Sequence, residues 1–317
     1  MTIEIDRLVV FGDSLSDIGQ KRKTSSGRLA RLLGLMRTNE VGRFSDTRNW
    51  TDFIWEWSGG TTLFEKDAKT TKKLTKHHLT INSESSYGCT PARCISYANY
   101  AEGGAMGGSD RSGIGLGTFS EQTKRFLHDE KTSPPSKNTL FLIWFGLNDL
   151  VTNGRNKSDM KKVAIEITTL CEELLNKNSN SYFIFANIPN PQGSVRYFGK
   201  ELTEEVRDYQ QGAFEFGYEL ARQVTIFPDT RASLLDMYSI SEYINDNLDV
   251  YGLKKGSQPH GMKVKYGSDA PISSDDFFVS TSDRAHPTEQ VYKLIANAWS
   301  EEILKRFDLG TLRIRNN

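Results

Sequence analysis

Six successive apolar residues, 140–145, follow Thr139, and the run stops abruptly at Gly146-Leu147-Asn148-Asp149. A run this short and unbroken suits a strand covered on both faces, which is the situation of a strand in a parallel sheet wrapped by helices. Directly after it, Met160, Val163, Ala164, Ile167, Leu170 and Leu174 recur at helical spacing, and residues 182–188 read as the next buried strand. The same alternation runs along the chain. Strands are predicted at 8–11, 94–101 and 233–236. Helices are predicted at 50–57, with Trp50, Phe53, Ile54 and Trp57 on one face, at 119–130, around 202–223 and 240–248, and last through Val291, Leu294, Ile295, Ala298 and Trp299 with Pro287 in the first turn. Strands alternating with helices imply an α/β fold, a three-layer sandwich with a central, mostly parallel sheet. One domain over 1–317 is expected, with surface insertions at about 20–49, which is basic and irregular, at 58–92 and at 252–282.

Charge narrows the partners. Lys plus Arg and Asp plus Glu number 40 each, so no global field draws the chain to nucleic acid or to an anionic membrane, and any membrane contact has to be local. The run Lys66, Lys69, Lys72, Lys73, Lys76, His77 and His78 has no interleaved aromatics and reads as a solvated loop in preference to a headgroup patch. Residues 1–7 contain Glu4 and Asp6 and lack a basic leader with an apolar stretch, so no Sec-type signal is expected. No apolar run approaches the roughly 20 residues that cross a bilayer. The three cysteines, Cys89, Cys94 and Cys171, are read as free thiols, although Cys89 and Cys94 are close enough to pair on oxidation.

Function in parallel sheets gathers at the carboxyl ends of strands, and three motifs sit there. Ser14 ends Phe11-Gly12-Asp13-Ser14, where its hydroxyl would stand exposed on a tight turn; Asp and Ser after a strand can equally cap a helix. Gly104, past the strand at 94–101, could offer a backbone N–H at close range, or could simply make a turn. Asn148 could aim a fixed amide donor, or could end a strand as Asn commonly does. Of five histidines, His77 and His78 lie in the basic run, His128 ends a helix and His260 sits in a polar loop. Only His286 has an acid, Asp283, three residues before it at a predicted helix start. Together these residues supply what attack on an ester requires: a hydroxyl nucleophile, a base, an acid to orient the base, and oxyanion donors.

In order and spacing, Gly12-Asp13-Ser14-Leu15, Asn99-x-Ala101 with Gly103-Gly104, Gly146-x-Asn148-Asp149 and Asp283-x-x-His286 resemble the four blocks of the GDSL, or SGNH, hydrolase family. The resemblance implies a flavodoxin-like sheet with catalytic Ser14, Asp283 and His286 and an oxyanion hole of Ser14 N–H, Gly104 N–H and the Asn148 amide. Gly42-Arg43-Phe44-Ser45, Trp50-Thr51-Asp52-Phe53, Asn187-Ile188-Pro189 and His286-Pro287-Thr288 resemble a narrower branch, the bacterial glycerophospholipid:cholesterol acyltransferases, one of which is injected into host cells. That likeness implies a phospholipid or other acyl-ester substrate, admits a sterol acceptor, membrane contact and a protein activator, and implies no cofactor and no nucleic acid. It also implies a bacterial protein that stays in the cytoplasm or is delivered into a host cell by a specialised secretion system.

Three alternatives are weighed against it. The glycines from 103 to 117 do not keep the Gly-x-Gly-x-x-Gly spacing of a dinucleotide site, and no phosphate loop, zinc pair or cysteine ligand cluster is present. A small-ester or carbohydrate-acetyl esterase of the same fold stays open. A catalytically inactive lipid-binding module is disfavoured by the presence of all five residues.

Overall fold

The computed structural model describes residues 2–33, 36–60, 79–83, 93–110, 117–130, 138–199, 203–228, 230–259 and 277–314. The first half contains strands β1 (Ile3–Glu4) and β2 (Arg7–Gly12), helices α1 (Ser25–Leu32) and α2 (Trp50–Trp57), strands β3 (Leu79–Ser83) and β4 (Arg93–Asn99), helix α3 (Phe119–Glu130) and strand β5 (Thr139–Trp144). Helix α4 (Lys157–Lys177), strand β6 (Ser181–Ala186), helix α5 (Glu204–Val224), strand β7 (Ala232–Leu235) and helix α6 (Met237–Asp246) follow. Strands β8 (Leu253–Ser257) and β9 (Phe277–Ser280), helix α7 (Glu289–Leu304) and strand β10 (Phe307–Asp308) complete the chain.

The main sheet runs β3-β4-β2-β5-β6-β7, parallel throughout except for β3, which pairs antiparallel with β4 at the edge. Successive side chains on a strand face opposite ways, and both faces are covered. Val9, Phe11, Phe141, Ile143, Phe183 and Phe185 share a core with Phe126 of α3, Ile167 of α4 and Phe216 of α5. Leu8, Val10, Leu140, Leu142, Trp144 and Ile184 pack with α2 and α7. Between those two helices Trp50 stacks on Trp299 at 4.5 Å, with Trp144 edge-on to both. This two-sided burial is why the central strands read as continuous apolar runs.

The topology locates the site. From β2 the chain leaves toward β4, and from β5 it leaves toward β6, so neighbouring strands diverge at their exits and leave a crevice at their carboxyl ends. Gly12 pairs with Trp144 there, which starts the segments carrying Ser14 and Asn148 side by side.

The expected surface insertions are corrected in part. Within 20–49, Gln20, Lys21, Val41, Arg43, Ser45, Thr47, Arg48 and Asn49 are buried. The stretch enters the interior because its charge is neutralised there: the fully buried Arg43 guanidinium donates from Nη2 and Nε to the two Asp52 carboxylate oxygens at 2.6 and 3.1 Å. The 58–92 stretch contributes the edge strand β3, and 252–282 contributes β8 and β9, a second, parallel pair. Residues 61–78 and 84–92, with the basic run and Cys89, and 260–276, with His260, lie outside the described residues. Pro287 is not in the first turn of α7. It bridges to Ser280, and Thr288, in an extended conformation, is the residue before the helix.

Candidate active site

Past β2 the chain turns tightly, Ser16 N–H donating to the Asp13 carbonyl at 3.1 Å and Leu15 N–H to Asp13 Oδ1 at 2.9 Å. Asp13 and Ser16 are buried, and Ser14 stands partly open between them. From the far end of the sequence, β9 runs into a second turn. It is closed by Thr281 N–H and Ser280 Oγ–H, both donating to the His286 carbonyl. Arg284 sits inside that turn at φ +62°, an uncommon conformation for a residue with a side chain.

The second turn folds Asp283 onto His286. Asp283 Oδ1 accepts from Thr281 Oγ1 (2.8 Å), Ala285 N–H (2.9 Å) and His286 N–H (3.0 Å), while Oδ2 lies 2.6 Å from His286 Nδ1. On the other side of the ring, His286 Nε2 lies 2.9 Å from Ser14 Oγ. A carboxylate at Nδ1 favours the tautomer protonated there, which leaves Nε2 to accept the serine hydroxyl. Burial pushes the Asp283 carboxyl upward. The His286 hydrogen bond and charge, with the Ala285 and His286 N–H groups, outweigh burial and hold it well below the usual carboxylate range. Phe44 packs against the imidazole, ring centroids 4.9 Å apart.

Asn148 opens a single π-helical turn, Asn148–Thr152, after β5. Its amide nitrogen donates to the Ala105 carbonyl at 3.1 Å and to Asp13 Oδ2 at 3.2 Å. Burial pushes the Asp13 carboxyl up to about 7, against the pull of Leu15 N–H and the His286 charge. Gly104 has φ +80°, a conformation that favours glycine. Among the described residues, neither the Ser14 nor the Gly104 N–H donates to a protein acceptor.

Ser14, Asn148 and His286 line one cavity of about 310 Å³, walled by Leu15, Trp144, Leu147, Val279, Val291 and Ile295 among others. Gly104 lies outside that lining.

Sequence reasoning passed over the residues that tie these loops together. Asp17 Oδ1 accepts from Gly19 and Gln20 N–H, and its Oδ2 from Lys21 and Gly103 N–H, the last at 2.8 Å. The serine loop thereby holds the residue beside Gly104. Asp149 accepts from Gly107 and Gly108 N–H at 2.7 and 3.0 Å, and Asn99 Nδ2 donates to the Ser16 carbonyl. Asn99 and Asp149 belong to motifs already singled out and Asp17 lies three residues past Ser14, which was the available signal; their long-range partners left none.

A hydroxyl, an imidazole and a carboxylate in hydrogen-bonded line at the switch point of a doubly wound sheet are the groups that acyl transfer through a serine requires. The chain belongs to the GDSL-like lipase/acylhydrolase family, whose model matches residues 8–299. It is 23% identical over 313 residues to the thermolabile hemolysin of Vibrio parahaemolyticus, an alignment covering 94% of this chain and 64% of that protein. Among solved structures it is similar to a lipolytic protein of the G-D-S-L family from Veillonella parvula, at 12% identity and TM-score 0.44, covering 95% of this chain and 99% of the other. It is also similar to an acetylxylan esterase from Geobacillus stearothermophilus, at 13% identity and TM-score 0.43, covering 99% and 100%.

Proposed function

We propose that this enzyme cleaves lipid acyl esters through an acyl-serine formed on Ser14. The observation that carries the reading is the Ser14 Oγ to His286 Nε2 contact of 2.9 Å opening on an apolar cavity with room for an acyl chain. An acetyl group would leave most of that wall unfilled.

In the first step His286 Nε2 takes the Ser14 proton as Oγ bonds to the acyl carbon. The Ser14 and Gly104 N–H groups and the Asn148 amide hold the resulting oxyanion, the amide redirecting to it one of the N–H bonds it now donates to Asp13 and to the Ala105 carbonyl. Collapse breaks the ester bond, and His286 returns its proton to the departing alcohol, a lysophospholipid when the substrate is a phospholipid. In the second step water or an alcohol gives its proton to His286 and attacks the acyl carbon; the bond from that carbon to Ser14 Oγ then breaks, and His286 returns the proton to the departing Oγ. Water releases a fatty acid, and a sterol acceptor, which the acyltransferase resemblance favours, yields a steryl ester. By the same resemblance the substrate membrane is that of a host cell.

Asn148→Ala is expected to keep its fold and lose on the order of a hundredfold to a thousandfold in turnover; wild-type rates would remove the amide from the mechanism. The whole reading is tested by incubating the chain with labelled phosphatidylcholine, with and without cholesterol, beside a fluorophosphonate probe. Labelling lost in Ser14→Ala together with release of fatty acid or cholesteryl ester is the expected result. Labelled Ser14 with neither product would defeat the lipid assignment and leave a short-ester hydrolase.

A further inference from the structure

Residues 20–39 carry Lys21, Arg22, Lys23, Arg28, Arg31 and Arg37 and no carboxylate, in a chain whose formal net charge is zero. Within this stretch α1 places Leu29, and Leu32 and Leu33 at and just past its end, at the i, i+3, i+4 spacing that an amphipathic helix turns toward a core. Here the stripe points outward: the three leucines are 58%, 83% and 59% exposed. The helix is seated instead through Gly27, which is buried. Arg22, Lys23, Arg28 and Leu32 line one open depression, in which the Arg28 guanidinium is fixed by two donations to the Lys23 carbonyl, at 3.1 and 3.0 Å. Among the described residues, Lys23, Arg28 and Arg37 have no carboxylate partner.

Exposed leucines flanked by unpaired cations are the two halves of an interfacial helix. The apolar side chains gain by entering hydrocarbon, and the cations gain from headgroup phosphates at the same depth. A nucleic acid would use the cations and leave the leucines wet; an apolar protein groove would cover the leucines and leave the cations unmatched. Placement agrees with the lipid surface. Lys21 N–H is held by Asp17 of the serine loop, and its ammonium lies 3.4 Å from Glu102 beside Gly103. The Arg22 guanidinium donates to the Glu40 carbonyl, at the start of the loop whose Phe44 lies against His286. Helix α1 therefore stands on the same rim of the sheet as Ser14.

We propose that α1 and its basic flanks form a docking site for an anionic phospholipid surface, with Leu29, Leu32 and Leu33 entering the acyl layer and Lys23, Arg28 and Arg37 taking headgroup phosphates. The site gains its purpose from the lipid reading of Ser14, and it is measured without turnover.

The test is co-sedimentation of the full chain with vesicles of phosphatidylcholine alone and of phosphatidylcholine mixed with phosphatidylglycerol. Binding to the mixed vesicles only, weakened by added salt, is expected. Lys23→Glu with Arg28→Glu should lower affinity at least about thirtyfold, and Leu32→Ser with Leu33→Ser on the order of tenfold, each pair keeping the wild-type thermal midpoint because the side chains are exposed. Equal binding to both vesicle types, no vesicle binding, or variants that bind as wild type would overturn the proposal. Retention on heparin unaffected by the leucine changes, without vesicle binding, would make the patch a polyanion site instead. Fluorophosphonate labelling reports on Ser14 separately, so the two readings fail apart.

Discussion

Turnover of Asp283→Asn is expected to fall about 10⁴-fold with the fold retained. The hydrogen bonds dictate how the new amide must sit. Asp283 Oδ1 accepts three donors, from Thr281, Ala285 and His286, so the asparagine carbonyl has to occupy that position. Its NH₂ then faces His286 Nδ1 at the place where Oδ2 now lies, 2.6 Å away. An amide donor there puts the imidazole proton on Nε2, and Nε2–H cannot accept the Ser14 hydroxyl. The loss should appear in kcat with little change in KM, since nothing that lines the cavity is altered. Full activity in Asp283→Asn would mean that another group orients the ring.

The same substitution has a signature in stability. Asp283 is held below the ordinary carboxylate range when folded, so its contribution is complete above about pH 4 and drains away as pH falls through and below that range. Asp283→Asn should therefore lower the unfolding midpoint near neutrality and flatten its acid-side decline. Asp13 has the opposite sign. Its carboxyl is raised to about 7 by burial, so it favours folding most in the neutral form and costs stability as pH climbs from about 4 through 7. A midpoint that falls equally steeply in acid with and without Asp283 would contradict the assignment.

Arg43→Met is expected to destabilise the chain by about 3–5 kcal/mol, a large effect for a change away from Ser14, Asp283 and His286. Arg43 and Asp52 are both fully buried, so removing the guanidinium strands a carboxylate without its counter-ion. The Arg43 Nη1 donations to the Ile18 and Val41 carbonyls are lost with it. For a chain of this size the thermal midpoint should drop by on the order of 10 °C. Arg43→Met with Asp52→Leu should recover part of the loss and not all, because Asp52 Oδ2 also accepts the Asn49 N–H that begins α2. Catalysis should suffer as well, since the loop that Arg43 anchors carries Phe44 against His286. A single variant as stable as wild type would show that this pair does not hold the loop.

How far the sequence could be read depended on how local the cause was. Strand β5 and helix α4 were legible because burial on two faces, or on one, imposes a period that survives in the residue order. The Asp283–His286 pair was legible because three residues of separation and a turn suffice to bring a carboxylate onto a ring. The interior position of 41–49 was not. A stretch with arginines, serine, threonine and asparagine reads as solvated unless its partners are known, and Arg43 finds Asp52 inside the core. The start of α7 shows the same thing: no side chain of Thr288 caps it, and Glu289 N–H donates instead to Asp46 Oδ1 at 2.6 Å, from a loop more than 200 residues away in sequence. The edge strand β3 was missed because a short Thr- and Ser-rich segment gains strand structure only from the neighbour it pairs with.

Residue order alone specified the alternating elements, the parallel sheet and the chemical types of the candidate residues, because hydrophobic period and turn chemistry act over a few residues. What the tertiary structure decided was convergence: Ser14 Oγ within 2.9 Å of an imidazole 272 residues later, Asp13 against Asn148, Asp17 against Gly103. Those distances are set by strand order and by buried ties between loops. Both depend on which surfaces exclude water together, and the linear chain does not record that.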